Sequence, residues 1–389
     1  MNRRHPLLAL AAAAAMALAT GSALAQDNTV KIGLVLPMTG QQASTGRQID
    51  AAVKLWLAQN GNKAGGKTVE VILKDDASLP DTTRRLAQEL VVNDKVAVLA
   101  GFGITPSAMA TAPIATQSKT PMVVMAAATS AITEASPFIV RTSFTLPQAA
   151  VGMAEWAAKN KVKRVVTLVA DYGPGFDAEK YFVDRFKLNS GQVLESLRTP
   201  LRAPDFAPVL QKVRDAAPDA LFVFLPSGQG AQFMKQFAER GLDKAGIKLI
   251  ATGDVTDDDQ LNAMGDVALG VVNAHHYSAA HNSPTNKKFV AAFEAANKFR
   301  PNFMAVGGYD GMRVIYNALN ASKGASGQAL LDAMKGQLFE SPRGQMLIDA
   351  QTRDVVHDMH IRKVERVNGE LFNVEFDAIK AMKDPGKTK

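Results

Sequence analysis

Residues 96–110 read VAVLAGFGITPSAMA, a pattern of buried strand, glycine turn and helix start that decides the fold. The five apolar residues before Gly101 are too few for a helix and are typical of a fully buried strand. Gly101 and Gly103 allow a sharp turn and the close approach of a ligand to the backbone. Thr105 and Ser107 can cap the following helix or donate hydroxyl hydrogen bonds. Because a helix start carries unpaired N–H groups and a partial positive charge, the stretch predicts a binding site for a carboxylate or a phosphate.

Apolar strand patterns alternate with amphipathic helix patterns on both sides of this stretch. One series runs up to residue 130, and a second series runs from residue 138 to residue 251. Such alternation predicts an α/β fold in which two lobes each contain a parallel sheet covered by helices. Consecutive helices and then strand-like hairpins follow residue 285. We expect this C-terminal part to return to the first lobe.

The N-terminus has the pattern of a cleaved signal peptide over residues 1–25. Arg3 and Arg4 precede an apolar run at 7–19, and Ala23-Leu24-Ala25 is a small-x-small cleavage site. A membrane helix is the alternative, but the run is too short for a comfortable span. No cysteine follows the cleavage site, which excludes a lipid anchor. The sequence therefore predicts a soluble, periplasmic protein.

Composition excludes several other classes. Removal of Arg3 and Arg4 with the signal peptide lowers the formal net charge from +7 to +5, and the basic residues are not clustered as a nucleic-acid site requires. The sequence contains no cysteine, so it has no disulfide, thiolate metal site or cysteine nucleophile. We therefore expect no nucleic-acid partner.

No catalytic residue, metal site or cofactor is predicted. His275 and His276 are adjacent, so they point to opposite faces of a strand, and the sequence offers His281 no partner at ligand spacing. The glycines of 101–106 half-match a dinucleotide fingerprint, but Pro106 stands at its third position. The G-x-S-x-G elbow of hydrolases does not occur.

Six short motifs occur in a specific order along the chain: residues 32–40, KDD at 74–76, residues 101–107, AAT at 127–129, DYGPG at 171–175 and YDG at 309–311. In these motifs the chain resembles the branched-chain amino-acid (Leu/Ile/Val-type) periplasmic binding proteins of ABC transporters. The resemblance implies the type I periplasmic binding protein fold, with two Rossmann-like lobes joined by three hinge crossings near 142–143, 272–274 and 349–354. Lobe 1 would comprise 26–142 plus 274–352, and lobe 2 would comprise 143–273 plus 353–389.

The resemblance also implies ligand-binding residues in lobe 1. Thr105 would offer its hydroxyl and N–H to a ligand carboxylate, and the Ala127 backbone and Thr129 would complete this contact. Thr45 would cover the ligand from the first loop. Read from the residues alone, Thr105 is equally suited to capping its helix.

In lobe 2 the resemblance places an aromatic side chain at Tyr172 and an acidic partner for a ligand ammonium at Asp254. Gly228 falls where some relatives carry a second aromatic residue, so the pocket loses that ring. A branched-chain amino acid and an aromatic or other apolar carboxylic acid both stay open as ligands. We expect the neighbouring Asp257, Asp258 and Asp259 to cap the following helix.

The function implied is that of a monomeric solute-binding protein, which closes on a small carboxylate and delivers it to an ABC permease in the inner membrane. Two alternatives remain. The same cleft can serve a ligand sensor that acts on a membrane receptor, and an α/β scaffold can also carry an exported enzyme. Against the enzyme stands the lack of a nucleophile–base pattern in the sequence.

Overall fold

The computed structural model describes residues 28–387, so the predicted signal peptide lies outside the described residues. A six-stranded sheet forms the first lobe, in the order β2-β3-β1-β4-β5-β6, and all neighbours except β2 and β3 are parallel. Its strands are β1 (Thr29–Leu36), β2 (Lys63–Ala64), β3 (Lys67–Asp75), β4 (Val98–Gly101), β5 (Met122–Val124) and β6 (Ile139–Arg141). Its helices are α1 (Ala43–Asn60), α2 (Pro80–Val92) and α3 (Thr105–Ser118).

A second, nine-stranded sheet forms the other lobe, in the order β12-β13-β14-β11-β10-β9-β7-β8, with β15 paired to β14. Its parallel strands are β7 (Arg164–Ala170), β8 (Gln192–Thr199), β9 (Ala220–Phe224), β10 (Lys248–Thr252) and β11 (Val272–His275). The helices among them are α4 (Leu146–Lys159), α5 (Gly173–Leu188), α6 (Ala207–Ala216), α7 (Gly230–Glu239) and α8 (Leu261–Met264). The prediction of two α/β lobes with parallel-sheet cores is confirmed.

The C-terminal part is divided between the two lobes. Helices α9 (Pro284–Asn297) and α10 (Phe303–Ala321) pack on α1, and Trp56 meets the ring of Tyr309 edge-on at 5.0 Å. The last helix is α11 (Gly327–Met334). The antiparallel strands β12 (Leu338–Ser341), β13 (Gly344–Ile348), β14 (Val355–Val367) and β15 (Glu370–Met382) instead extend the second sheet.

This arrangement corrects the expectation that the hairpins return to the first lobe. Because β14 hydrogen-bonds antiparallel to β11, the four last strands lie with the second sheet. The chain passes between the sheets at 142–145, 276–283 and 335–337. The segment 349–354, predicted as the third crossing, joins β13 to β14 within one sheet, and residues 338–348, grouped with lobe 1 on sequence, pair there too.

The stretch 96–110 folds as its pattern predicts. Residues 98–100 are fully buried in β4, and Gly101 turns the chain with φ +109°. A Cβ at Gly101 would lie 2.4 Å from the Val35 carbonyl oxygen, so only glycine fits. Helix α3 begins at Thr105, with Pro106 in its first turn. Among the helices of residues 28–387, none is long and apolar enough to cross a membrane.

Candidate functional site

Seven parallel strands, four from the first sheet and three from the second, end around one cavity between the lobes. The segments that follow β1, β4, β5, β6, β7, β9 and β10 all contribute to its walls. Parallel α/β sheets bind ligands at the carboxyl ends of their strands. The space between these walls, open solvent included, is about 360 Å³.

The walls of this cavity are mostly apolar and partly aromatic. Polar groups at the cavity come from Gln42, Thr105, Ser227 and Asp254. The apolar wall is formed by side chains from both lobes, from the first passage between them and from α10: Ile104, Phe144, Leu146, Tyr172, Phe224 and Met304. A flat apolar molecule with a few polar substituents suits such a lining.

On the first lobe, Thr105 opens helix α3 at the cavity. Its Oγ1 lies 2.9 Å from Oγ1 of Thr129, so the two hydroxyls form a pair beside Ala127. The N-cap residue Ile104 has no side chain that could accept a hydrogen bond, so the first N–H groups of α3 are not capped by it. Ser107 is turned away from the cavity, because it bonds Thr83 at 2.7 Å and Asp76 at 3.2 Å in the buried interior.

Arg141 fixes the loop behind this hydroxyl pair. Its side chain is fully buried and donates to the carbonyl oxygens of Ala127 at 3.2 Å, Thr129 at 2.7 Å and Phe144 at 3.2 Å. It also pairs with Asp354 at 2.6 Å. Arg141 thereby holds two segments of the cavity wall in place. No motif points to Arg141 in the sequence, where the available signal is a single charged residue at the end of the apolar strand β6.

On the second lobe, Tyr172 precedes α5 and stacks on Phe224, with ring centres 6.1 Å apart and an angle of 19° between the planes. Burial, and then the charge of Asp254, raise the pKa of the Tyr172 hydroxyl, which therefore stays protonated. A Cβ at Gly173 would lie 3.1 Å from the Thr129 hydroxyl. The start of α5 thus packs directly against the hydroxyl pair of the first lobe.

Asp254 follows β10 and is 5% exposed. Its Oδ2 accepts a hydrogen bond of 2.9 Å from the Thr252 hydroxyl and lies 3.7 Å from Nε2 of His275. Burial lowers the pKa of His275 to about 4, so this ring is neutral at pH 7. The carboxylate of Asp254 therefore keeps free acceptor capacity toward the cavity.

Three of the residues predicted from the resemblance are not among those that line the cavity. Thr129 is one of them, and its hydroxyl contacts that of Thr105 at 2.9 Å. Thr45 is buried in α1 near Gly103, and its hydroxyl has no hydrogen-bond partner among the described residues. Gly228 has φ +99°, and a Cβ there would lie 3.3 Å from the Gln41 carbonyl oxygen. Their neighbours Gln42 and Ser227 reach the cavity instead.

Several contacts close the lobes on each other. The Ser130 N–H donates to Asp177 at 2.8 Å, and the Asn302 amide donates to Asp257 at 3.0 Å. Asp259 bonds Ser44 of the first lobe. The expectation that residues 257–259 cap a helix is wrong, because α8 follows Gln260 without a side-chain cap and these carboxylates bond elsewhere.

Comparison with known proteins agrees with this architecture. A family model described as a periplasmic binding protein matches residues 29–370. The Leu/Ile/Val-binding protein homolog 6 of Brucella abortus (strain 2308) is 42% identical over 97% of this chain and 98% of its own length.

Two solved structures of solute-binding proteins of ABC transporters, both from Rhodopseudomonas palustris, are also similar. The protein from strain BisB5, in complex with 3,4-dihydroxybenzoic acid, is 60% identical with a TM-score of 0.92, covering 93% of this chain and all of that one. The protein from strain HaA2, in complex with p-hydroxybenzoic acid, is 40% identical with a TM-score of 0.89, covering 92% of this chain and 99% of that one.

Proposed function

Since this chain belongs to the periplasmic binding protein family, as a solute-binding protein of an ABC transporter, we propose that its ligand is a hydroxylated aromatic carboxylate. The observation that carries the proposal is the cavity itself. Its walls include the rings of Phe144, Tyr172 and Phe224, while its polar groups come from both lobes. The complexes of the two R. palustris relatives with hydroxybenzoic acids support the same ligand class.

The carboxylate of the ligand binds at the hydroxyls of Thr105 and Thr129. Two helix starts, those of α3 and α5, border this end, because Thr105 and Pro174 both line the cavity. Each helix N-terminus stabilises an anion by about 0.3–1 kcal/mol, and by up to ~2 kcal/mol when partly buried. A carboxylate is therefore held by hydrogen bonds and helix dipoles.

The ring hydroxyl of the ligand donates to Asp254, and Ser227 lies close enough to the cavity to assist. A carboxylate acceptor forms a charge-assisted hydrogen bond, which is about twice as strong as a neutral one. Lobe 1 thus binds the carboxylate and lobe 2 binds the hydroxyl, so a single ligand bridges the lobes and favours their closure.

A branched-chain amino acid is the second candidate, and Asp254 is the observation that favours it. A buried carboxylate at the cavity is also a suitable partner for a ligand ammonium. The relative in Brucella abortus carries a Leu/Ile/Val-binding name. The two candidates differ in what the variant Asp254→Asn does.

The test is calorimetric titration of protein that has been unfolded and refolded to remove any co-purified ligand. We expect 3,4-dihydroxybenzoate and 4-hydroxybenzoate to bind more tightly than benzoate, and leucine not to bind. In Asp254→Asn the advantage of the hydroxybenzoates over benzoate should fall by about tenfold, the equivalent of roughly 1.4 kcal/mol. Asp243→Asn, an exposed carboxylate of the same lobe, is the matched control.

If leucine binds tightly and Asp254→Asn abolishes this binding, the ligand is an amino acid and not an aromatic acid. Equal loss of benzoate and hydroxybenzoate binding in that variant would refute the assigned role of Asp254. We further propose that the protein acts as a periplasmic monomer without catalysis and passes its ligand to an inner-membrane permease. Unchanged ligand recovered after long incubation supports this, and turnover contradicts it.

A further inference from the structure

His281, His360 and Glu375 lie together although they come from three separate parts of the chain. His281 belongs to the 276–283 passage between the lobes, His360 to β14 and Glu375 to β15. One ligand atom of each residue lies within 4.8 Å of those of the other two. Nδ1 of His281 lies 2.7 Å, and Nδ1 of His360 lies 3.5 Å, from Oε2 of Glu375.

The cluster has polar atoms that the protein leaves unpaired. Nε2 of His360 and Oε1 of Glu375 are buried without a hydrogen-bond partner among the described residues, and His360 is only 4% exposed. Leaving such groups unpaired is unfavourable, so Oε1 of Glu375, which belongs to the same carboxylate as Oε2, indicates a missing partner at the cluster. Nε2 of His360 is on the opposite side of the ring from the Nδ1 that faces Glu375, so it does not bear on the same partner. The side chains of His281 and Glu375 keep 16% and 17% exposure, which leaves a route from solvent to the cluster.

We infer that His281, His360 and Glu375 form a binding site for a divalent transition metal of the Zn²⁺ type. Two imidazoles and one carboxylate are a known zinc ligand set, and they leave a fourth position for water. Bonds of 2.0–2.1 Å place tetrahedral ligand atoms about 3.3 Å apart. The distances of 2.7 and 3.5 Å lie on either side of that value. Mg²⁺ and Ca²⁺ prefer oxygen ligands and should bind much less well.

The proposed metal site is separate from the cavity between the lobes. None of its three ligands lines the cavity. It would link the 276–283 passage to β14 and β15, and so fix one connection between the lobes onto the second sheet. The inference is independent of the proposed ligand and is tested without it.

The experiment uses the mature chain without a polyhistidine tag, stripped with EDTA and dialysed. We expect ZnCl₂ to raise the melting temperature and to bind 1:1 by calorimetry, while MgCl₂ does neither. CoCl₂ should give the visible ligand-field absorption of a low-symmetry site with nitrogen ligands. His281→Ala and Glu375→Gln should each weaken Zn²⁺ binding by more than about 100-fold, since even outer-shell partners change affinity about 10–100-fold.

Glu365→Gln is the matched control, because it removes a carboxylate from β14 that pairs with Lys363 outside the cluster. This variant should bind Zn²⁺ like the wild type. His281 lies at the rim of the cluster, so His281→Ala reports on the site even where Glu375→Gln fails to fold. Wild-type Zn²⁺ affinity in His281→Ala, or no 1:1 binding to the unmodified chain, overturns the inference.

Discussion

The hydroxyl of Thr105 and the start of α3 both face the cavity, so a substitution at Thr105 should change the ligand affinity. Thr105→Val keeps the shape of the side chain but removes the hydroxyl. A hydrogen bond to a charged group contributes about 1.5–3 kcal/mol. We therefore expect the Kd for 4-hydroxybenzoate to rise by about 10- to 150-fold in a calorimetric titration.

Thr116→Val is the control for this substitution. Thr116 lies on the same helix, but its hydroxyl bonds Ala112 at 3.1 Å and Ser136 at 2.7 Å, away from the cavity. Its Kd should stay at the wild-type value. Equal affinities of Thr105→Val and wild type would limit Thr105 to its bond with Thr129 and would remove it from the ligand contacts.

At the scale of the residue, strand ends were the useful signal. Thr105, Tyr172 and Asp254 each follow a buried strand, so the sequence placed them near a common edge, and they line one cavity. Phe144 was missed because it lies in a passage between the lobes, where no local pattern reports which lobe it faces. Gln42 was missed because nothing in its polar loop after β1 distinguishes it from its neighbours.

At the scale of the element, parallel strands were predictable and the last antiparallel strands were not. The strands β1, β4, β7 and β9 are short apolar runs with helices between them, a pattern that is local. A hairpin such as β12–β13 has the same sequence pattern whichever sheet it joins. Its place is decided by the pairing of β14 with β11, a contact between residues far apart in the chain.

The junction of β11 with β14 also buries neutral histidines, which should make the stability of the protein depend on pH. His276 follows β11, and its ring lies tilted against those of His275, with centres 4.5 Å apart, and of His357 in β14, with centres 5.2 Å apart. The rings of His275 and His276 therefore do not point to opposite faces, which corrects the expectation from the sequence. Burial, and then the charge of Arg343, hold the pKa of His276 well below its usual value. The unfolded chain therefore binds a proton here near pH 6.5, whereas the folded chain does not.

The contribution of His276 to stability is thus complete above pH 6.5 and is lost as the pH falls. Asp257 changes the stability with pH in the opposite direction, because burial raises its pKa to about 8. Comparing the variant with the wild type at each pH cancels this effect. Urea unfolding gives the free energy of unfolding of His276→Gln minus that of the wild type. This difference should rise, in favour of the variant, by about 2 kcal/mol when the pH falls from 7.5 to 5. A difference independent of pH contradicts a neutral, buried His276.

At the scale of the whole molecule, the two lobes and their shared cleft followed from the order of motifs, but the closed contacts did not. The Ser130–Asp177 and Asn302–Asp257 hydrogen bonds join residues of different lobes. Each partner is an ordinary polar residue in the sequence, suited to a turn or a cap. Only the relative position of the lobes gives these residues a common role, which is to stabilise the closed form.

Asp177 provides the test of that role, because it lies outside the cavity wall. Asp177→Ala removes the 2.8 Å contact with the Ser130 N–H, and we expect the closed form to lose about 1–2 kcal/mol. Ligand affinity depends on the population of the closed form, so the Kd for 4-hydroxybenzoate should rise by about 5- to 30-fold with no ligand contact altered.

Asp184→Ala, on the same helix, removes only an exposed pair with Lys180 and should leave the Kd unchanged. Solution scattering distinguishes closure from a local defect. With ligand below saturation, Asp177→Ala should keep a larger radius of gyration than Asp184→Ala, and saturating ligand should bring the two together, because binding offsets the weakened closure. A raised Kd with the same radius of gyration in both variants would mean that Asp177 supports the site without influencing how the lobes close.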